Sequence, residues 1–235
     1  MHQVHLANVK CPNIPSEIVP GELAEYMSPW VYDGRDFLRK RFLGKKVTVR
    51  VEFSKEARSE GPRVVKEKVY VTVTYGQISI GAMAITEGLA TVHRTVRDTD
   101  PRSSEYDALL RAERGARKDR RGVHGKGKPR ILARVLPANH KLTLKYLPTL
   151  TNSGQMTAVV EAVLPGWELK LFSPEYQLVI SFVISGINVG DFSHEAKVFL
   201  QKTILQEDVR VKISDLDEAG RFSGDLYPLR CASTP

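Results

Sequence analysis

The sequence predicts an α+β fold built on short antiparallel strands, and three features carry that expectation. Period-two runs rich in β-branched residues recur, as KVTVRVEF over 46–53 and KVYVTVT over 68–74. Helix punctuation separates such runs, with Ser or Pro ahead of an apolar-periodic stretch and Gly behind it. The two halves of the 235-residue chain also repeat one order of elements, strand, turn, helix, strand.

Taken in order, the first helix is expected to open at Ser28-Pro29, a Ser N-cap with Pro at the first helical position. It runs through Trp30, Val31, Phe37, Leu38 and Phe42 to a stop at Gly44. The strand 46–53 follows, and the polar stretch 54–64 with Gly61-Pro62 reads as a loop. After the strand 68–74, residues 79–87 ahead of Gly88 read as a short helix. Ser104-Glu105-Tyr106-Asp107 is a capping-box-like start for a helix over 104–121, through Leu109, Leu110, Ala112 and Ala116 to Gly122. The run GVHGKGKP (122–129) marks a domain boundary or the frayed end of that helix. Beyond it, strands are expected over 158–163, 168–172, 178–184 and 209–213, with turns at Pro165-Gly166 and Ser173-Pro174. A last helix opens at Ser193, with Ala196, Val198, Phe199, Leu200 and Ile204 as its apolar set. The internal repeat is clearest where DFLRKRFLGKKVTVRV (36–51) is set beside VFLQKTILQEDVRVKI (198–213).

Composition narrows the function classes. The longest apolar run, Leu178–Val189, is interrupted by Ser181, Ser185, Gly186 and Asn188, too short and polar for a bilayer span. No charged segment followed by an apolar one opens the chain, so no secretory signal is read. Cys11 and Cys231 are the only cysteines and lie far apart, which supports neither a zinc site nor a disulfide framework and favours cytosol or nucleus. The formal charge is +8, and residues 111–130 hold nine Lys/Arg against Glu113 and Asp119, a net of +7. So concentrated a field attracts polyanions through counterion release, the alternative being a solvated helix face with a basic tail.

The repeat and two longer runs point to a family. The helix-plus-strand run WVYDGRDFLRKRFLGKKVTVRVEF (30–53) resembles the core of the staphylococcal-nuclease-like repeats of the Tudor-SN family. The stretch ISIGAMAITEGLATV with RSSEYDALL and the closing GVH resembles their C-terminal part more closely still. The resemblance covers 4–126 and 155–230. It implies two tandem five-stranded barrels of the OB type with packed helices, over 1–128 and 129–235, each incomplete at one terminus. The first starts at what looks like the third barrel strand (VHLANV) and lacks the opening hairpin. The second stops near Tyr227-Pro228, before the last helices. On this reading the chain is a piece of a longer multi-repeat protein, and the first barrel has an edge open to pairing with another chain, a second copy included, or with a residual segment.

The resemblance also implies a catalytic set: carboxylates for Ca²⁺, a Glu that activates water, and two Arg for the phosphorane charge. The family's D-T-P-E turn reads Lys10-Cys11-Pro12-Asn13 in the first repeat, with His5 at one Arg position and Lys68 near the other. A cation at a Ca²⁺ ligand position repels the metal, so no metal ligand is assigned there. In the second repeat the turn reads Asn188-Val189-Gly190-Asp191, with Asp191 at the base position. Arg221 matches the phosphate-binding Arg, closing Asp217-Glu218-Ala219-Gly220-Arg221, and Glu168 is the acidic residue of the opening hairpin. Arg221 and Asp191 are thus catalytic remnants, and the alternative for Arg221 is a surface ion pair with Asp217. His93 and His124 near the basic helix, and Tyr70 and Tyr75 on a strand, are candidates for RNA contact against a plain packing role.

Three function classes follow. The first is an RNA-binding scaffold, with Arg111, Arg114, Lys118 and Arg121 spaced three, four and three apart to share a helix face, continued by Lys126 and Lys128. Shape readout of double-stranded or structured RNA suits such a stripe. The second is a Ca²⁺-dependent endoribonuclease, and the third is a protein-interaction platform. For the parent family the resemblance implies association with the RNA-induced silencing complex, metal-dependent cleavage of double-stranded and edited RNA, and transcriptional coactivation. It thus implies RNA and the proteins of silencing or transcription complexes as partners, no membrane, and Ca²⁺ as the family's cofactor.

Overall fold

A computed structural model describes residues 4–12, 30–60, 63–65, 67–97, 99–129, 131, 133–164, 168–187 and 193–229. These fall into two compact units, 4–12 with 30–129, and 131–229.

In the first unit, the VHLANV run makes two short strands instead of one. β1 (His5–Leu6) and β2 (Val9–Lys10) are separated by Asn8, whose φ of 55° turns the chain. β1 pairs parallel with β6 (Lys68–Tyr75), while β2 joins β8 (Thr91–Val92). β3 (Thr48–Lys55) runs antiparallel to β6 from Thr48↔Thr74 to Lys55↔Lys68, with a bulge between Val51 and Phe53. The polar stretch read as a loop contains a small ladder, β4 (Arg58–Glu60) with β5 (Arg63–Val65). Three consecutive cross-strand pairs satisfy backbone groups that a polar composition alone left unassigned. β7 (Ile78–Ser79) continues from β6 through the Gly76 turn.

Helices pack on this sheet as their apolar spacing dictates. α1 (Val31–Phe42) ends with Gly44 at φ 72°, the expected left-handed stop. Its predicted opening residues Ser28 and Pro29 lie outside the described residues, and Trp30 stands at the N-cap with φ 74°. α2 (Ile80–Thr86) is capped by Ser79, whose Oγ accepts from the Ala82 N–H at 3.4 Å. α3 spans Tyr106–Lys118, shorter at both ends than the predicted 104–121. Ser104 does not cap it, because its hydroxyl donates to Glu52 on β3 at 2.9 Å instead. A 3₁₀ turn, Gly122–His124, follows. The core here is Ala84, Ile85, Ala90, Val92 and Leu109, with Val9, Phe37 and Tyr106 against it.

The second unit closes a barrel. β10 (Met156–Val163), β11 (Glu168–Ser173) and β12 (Leu178–Ile184) form an antiparallel meander. α5 (Ser193–Thr203) then leads to β13 (Asp208–Leu216) and β14 (Phe222–Pro228). β13 pairs with both β10 and β14, and β14 pairs parallel with β12, so five strands form a ring. Inward positions of every strand build the core, among them Val160, Leu169, Leu171, Ile180, Phe182, Val209, Val211 and Phe222. β14 is the fifth strand that the barrel resemblance implied without a local pattern to mark it, and β9 (Arg134–Val135), which adds parallel to β12, was not expected. Also unexpected is α4 (His140–Asn152), which contains Pro148 and is capped by the Asn139 side chain accepting from Leu142 N–H at 3.2 Å. Its Leu150 is buried, and Leu142, Tyr146 and Leu147 pack on the barrel core.

Candidate nucleic-acid interface

The basic helix separates its cations by face. Leu109, Glu113 and Ala116 point inward and are buried. The buried carboxylate of Glu113 accepts from the Val92 N–H at 3.0 Å and from Arg94 Nη2 at 2.6 Å, with Arg117 Nε at 3.7 Å. One carboxylate thus ties α3 to β8 and takes up the charge of two arginines, which keeps its burial affordable in free energy. Arg111, Arg114 and Lys118 lie on the opposite side of the helix, exposed. Lys126 and Lys128 are exposed in the segment that follows, and none of these five has an acidic partner among the described residues. Arg121 lies beyond the end of α3, not on its face. It pairs with Asp119 at 3.0 Å and donates to the Thr86 carbonyl at 3.4 Å. His124 is half-buried, and its pKa is lowered by burial and then by Arg117, against the pull of Glu113.

The N-terminus of α3 is fixed to the sheet by a second polar cluster that sequence reading missed. Glu52, the extra residue of the β3 bulge, accepts from Thr72 Oγ1 at 2.7 Å, Ser104 N–H at 3.0 Å, Ser104 Oγ at 2.9 Å and Arg50 Nε at 3.1 Å. Burial pushes the Glu52 carboxyl upward, but those donors outweigh it and hold the pKa at about 2. Ser103 sits between Thr72 and Asn8, its N–H donating to Asn8 Oδ1 at 2.7 Å. The bulge is the signal for this cluster, and it becomes visible only when β3 and β6 are set in register.

The turn that the resemblance equates with the family's catalytic loop borders an open cleft of about 1000 Å³ in the first unit. His5, Lys10, Phe53, Lys55, Tyr70 and Arg94 are among its walls. Tyr70 stacks on Phe53 at a ring separation of 4.7 Å, His5 tilts against it at 5.6 Å, and Lys55 lies 5.4 Å from its centre. Tyr75 is remote from this cluster and packs edge-on to Phe42. His93 joins the cleft wall, and Asn13 falls outside the described residues. Its acidic wall residues include Asp100, whose Oδ2 already accepts the N–H groups of Val96 and Arg97. With Lys10 in the wall, this donor set does not fit Ca²⁺.

In the second unit Arg221 is held by carboxylates. Its N–H donates to Asp217 Oδ1 at 2.8 Å, its Nε to Asp217 Oδ2 at 2.6 Å, and its Nη1 lies 3.6 Å from Glu168. The hydrogen bond that its guanidinium donates to Asp217 raises the Arg221 pKa, while for Asp217 burial pushes the carboxyl up and these same donors outweigh it and lower it. Glu168 also pairs with Lys170 at 3.0 Å, and Lys170 in turn bonds Ser181. Both acids are thus committed to side-chain cations, which leaves them poor Ca²⁺ ligands. The loop is pressed from behind by α4, since a Cβ on Gly220 (φ 78°) would lie 2.4 Å from the His140 nitrogen. Asp191 and Asn188 lie outside the described residues. Among the described residues no three His, Cys, Asp or Glu side chains converge as a metal-binding group, and no helix is long and apolar enough to cross a membrane.

A five-stranded barrel in the order β11, β10, β13, β14, β12, with a helix between β12 and β13, defines an OB-type nuclease-like fold. Comparison with known proteins agrees. The family described as staphylococcal nuclease homologue matches residues 3–124. The chain is 33% identical over 214 residues to staphylococcal nuclease domain-containing protein 1 of Drosophila melanogaster, covering 83% of this chain and 23% of that protein. It is 31% identical over 229 residues to ribonuclease TUDOR 2 of Arabidopsis thaliana, covering 86% and 23%. A fission-yeast (Schizosaccharomyces pombe) staphylococcal nuclease domain-containing protein 1 is 29% identical over 214 residues, covering 86% and 24%. The chain therefore belongs to the staphylococcal nuclease homologue family. It spans about a quarter of the length of the curated relatives it matches.

Proposed function

We propose that this chain is an RNA-binding pair of nuclease-like repeats, 1–128 and 129–235, that grips the phosphates of structured or double-stranded RNA. The observation that carries the reading is the division of charge on α3. Arg94 and Arg117 are consumed by buried Glu113, whereas Arg111, Arg114 and Lys118 share the exposed face and lead on to Lys126 and Lys128. Unpaired exposed cations on a rigid helix attract a polyanion at little reorganisation cost, and the contact they make is with backbone phosphate, not with base edges. The ribonuclease name of the Arabidopsis relative makes RNA the polyanion of choice. RNA processing in silencing complexes is the setting we assign to it, with the cytoplasm and the nucleus as its compartments.

Hydrolysis is the second reading, favoured by the position of Arg221 and by that relative's name. Arg221 would first have to leave Asp217 and Glu168. The two are separated by measuring binding and cleavage of one duplex RNA side by side, with Ca²⁺ and with chelator. Binding in both conditions without cleavage is the expected result. Ca²⁺-dependent cleavage that disappears in Arg221→Ala would replace this reading with the nuclease one. Failure to bind at low salt would leave the interaction-platform class, in which the basic face docks acidic proteins of silencing or transcription complexes.

A further inference from the structure

The chain after α3 is fixed at one residue and released at the next. The Val123 N–H donates to Gly88 O at 2.8 Å, and the Gly125 N–H to Gly122 O at 3.0 Å. Gly125 is pressed on the helix end, since a Cβ there would lie 2.2 Å from the Arg120 carbonyl oxygen. Beyond it the anchoring stops. Among the described residues no backbone hydrogen bond holds Lys126, Gly127 or Lys128, and a Cβ on Gly127 would meet nothing within 4 Å.

Lys126 and Lys128 are exposed on this free stretch. The other described lysines lie in helices or strands, as do Lys118, Lys145 and Lys212, or in the tight connection that the Lys45 N–H closes on Phe42 O at 2.9 Å. Backbone committed to a helix or a ladder must open locally before it threads the groove of a modifying enzyme. Residues 126–128 need no such opening. Gly125 and Gly127 leave the flanks of Lys126 without side chains, and Pro129 biases Lys128 to the extended conformation.

We infer that Lys126 and Lys128 are acetylation sites for a lysine acetyltransferase that uses an acetyl thioester, and that the modification tunes the grip on RNA. The second half rests on the RNA reading. In the transfer Nζ loses a proton and its lone pair attacks the thioester carbonyl. A C–N bond forms, the C–S bond breaks, and the departing thiolate takes up a proton. Each ammonium becomes a neutral amide, whereas methylation would keep its charge. Arg111 and Arg114 on α3 have no amine to acylate. The helix is therefore the constant part of the cationic stripe and the Gly-flanked lysines its adjustable part.

The full chain is incubated with acetyl-coenzyme A and a lysine acetyltransferase, and incorporation is mapped by peptide mass spectrometry. Lys126 and Lys128 should be modified about tenfold faster or more than Lys118 and Lys145, whose backbone is helical. Saturating duplex RNA should slow both about tenfold. Lys126→Gln with Lys128→Gln should flatten the slope of log affinity against log salt on duplex RNA by about 1.8. Lys126→Arg with Lys128→Arg, which keeps the charge and takes no acetyl group, should leave it unchanged. The two halves fail separately. Incorporation at Lys126 and Lys128 no faster than at Lys118 would overturn the site. An unchanged slope in the glutamine variant of a chain that binds duplex RNA would overturn its control of the grip. A chain that binds no duplex RNA at low salt would overturn the RNA reading and that control together, and the incorporation map would still decide the site.

Discussion

Arg221 and Asp217 are joined twice, through the Arg221 backbone N–H to Oδ1 at 2.8 Å and through Nε to Oδ2 at 2.6 Å. The pair therefore shapes the turn between β13 and β14 as well as neutralising a charge. Arg221→Ala is expected to destabilise the second unit by about 1 kcal/mol, since the side chains remain partly solvated. It should leave RNA affinity nearly unchanged. Thermal unfolding and a binding isotherm on one preparation check both, and a tenfold loss of affinity without loss of stability would make Arg221 a phosphate ligand.

Glu52 gives the first unit an acid limit. Its folded-state pKa of about 2 lies below the ordinary carboxylate value of 4.5. A lowered folded pKa stabilises the fold above the unfolded value, and that stability drains away as pH falls from about 4.5 toward 2. The size is about 1–2 kcal/mol, since Glu52 is only half-buried and solvent screens part of the interaction. Glu52→Gln should therefore unfold more easily at pH 7 yet show a flatter stability profile below pH 4.5. Equal slopes for the two proteins across that window would show that Glu52 is not the source of the acid sensitivity.

The parts legible in the sequence were those fixed by local pattern. β3 and β6 declared themselves by alternation, β12 by an unbroken apolar run, and α2 by Ser79 and Gly88. α4 escaped because Pro148 and the threonines at 143, 149 and 151 are poor helix formers, and its stability comes from Leu150 and neighbours packing on the barrel. β14 escaped because Gly224 and Pro228 interrupt its pattern, and the ladder to β13 supplies what propensity lacks. At the candidate interface the cationic spacing was readable, but the role of Glu113 was not. Only the fold brings Val92 and Arg94 to it from about twenty residues away. The same holds for Arg221, where proximity in sequence allowed the Asp217 pair but could not supply Glu168.

Gly88 and Gly122 form a close backbone crossing that secures the end of the basic helix. A Cβ on Gly88 (φ 72°) would lie 2.3 Å from the Arg121 carbonyl oxygen, and one on Gly122 (φ 48°) would lie 2.1 Å from that of Gly88. The Val123 N–H donates to Gly88 O at 2.8 Å across this contact. Alanine at either position meets backbone that cannot rotate away, besides the left-handed φ, so each should cost about 2 kcal/mol or more. Gly115→Ala, which meets nothing within 4 Å, is the control and should be neutral or slightly stabilising. Melting temperatures of the three variants decide it, and three similar values would show the crossing is not rigid.

The same structure separates the cations that should matter for RNA from those that should not. Each phosphate neutralised contributes about 0.9 to the slope of log affinity against log salt on a duplex. Arg111→Glu with Arg114→Glu removes two unpaired exposed charges, so the slope should flatten by about 2 and affinity fall by about tenfold or more. Arg121→Ala should change the slope by much less, because Asp119 already compensates that charge at 3.0 Å. Arg117→Ala should act through stability instead, by taking one partner from buried Glu113. Duplex RNA titrations across a range of salt, with unfolding midpoints for each variant, distinguish these effects. If Arg121→Ala flattened the slope as much as the double reversal on α3, the contact surface would centre on the segment after the helix, not on its face.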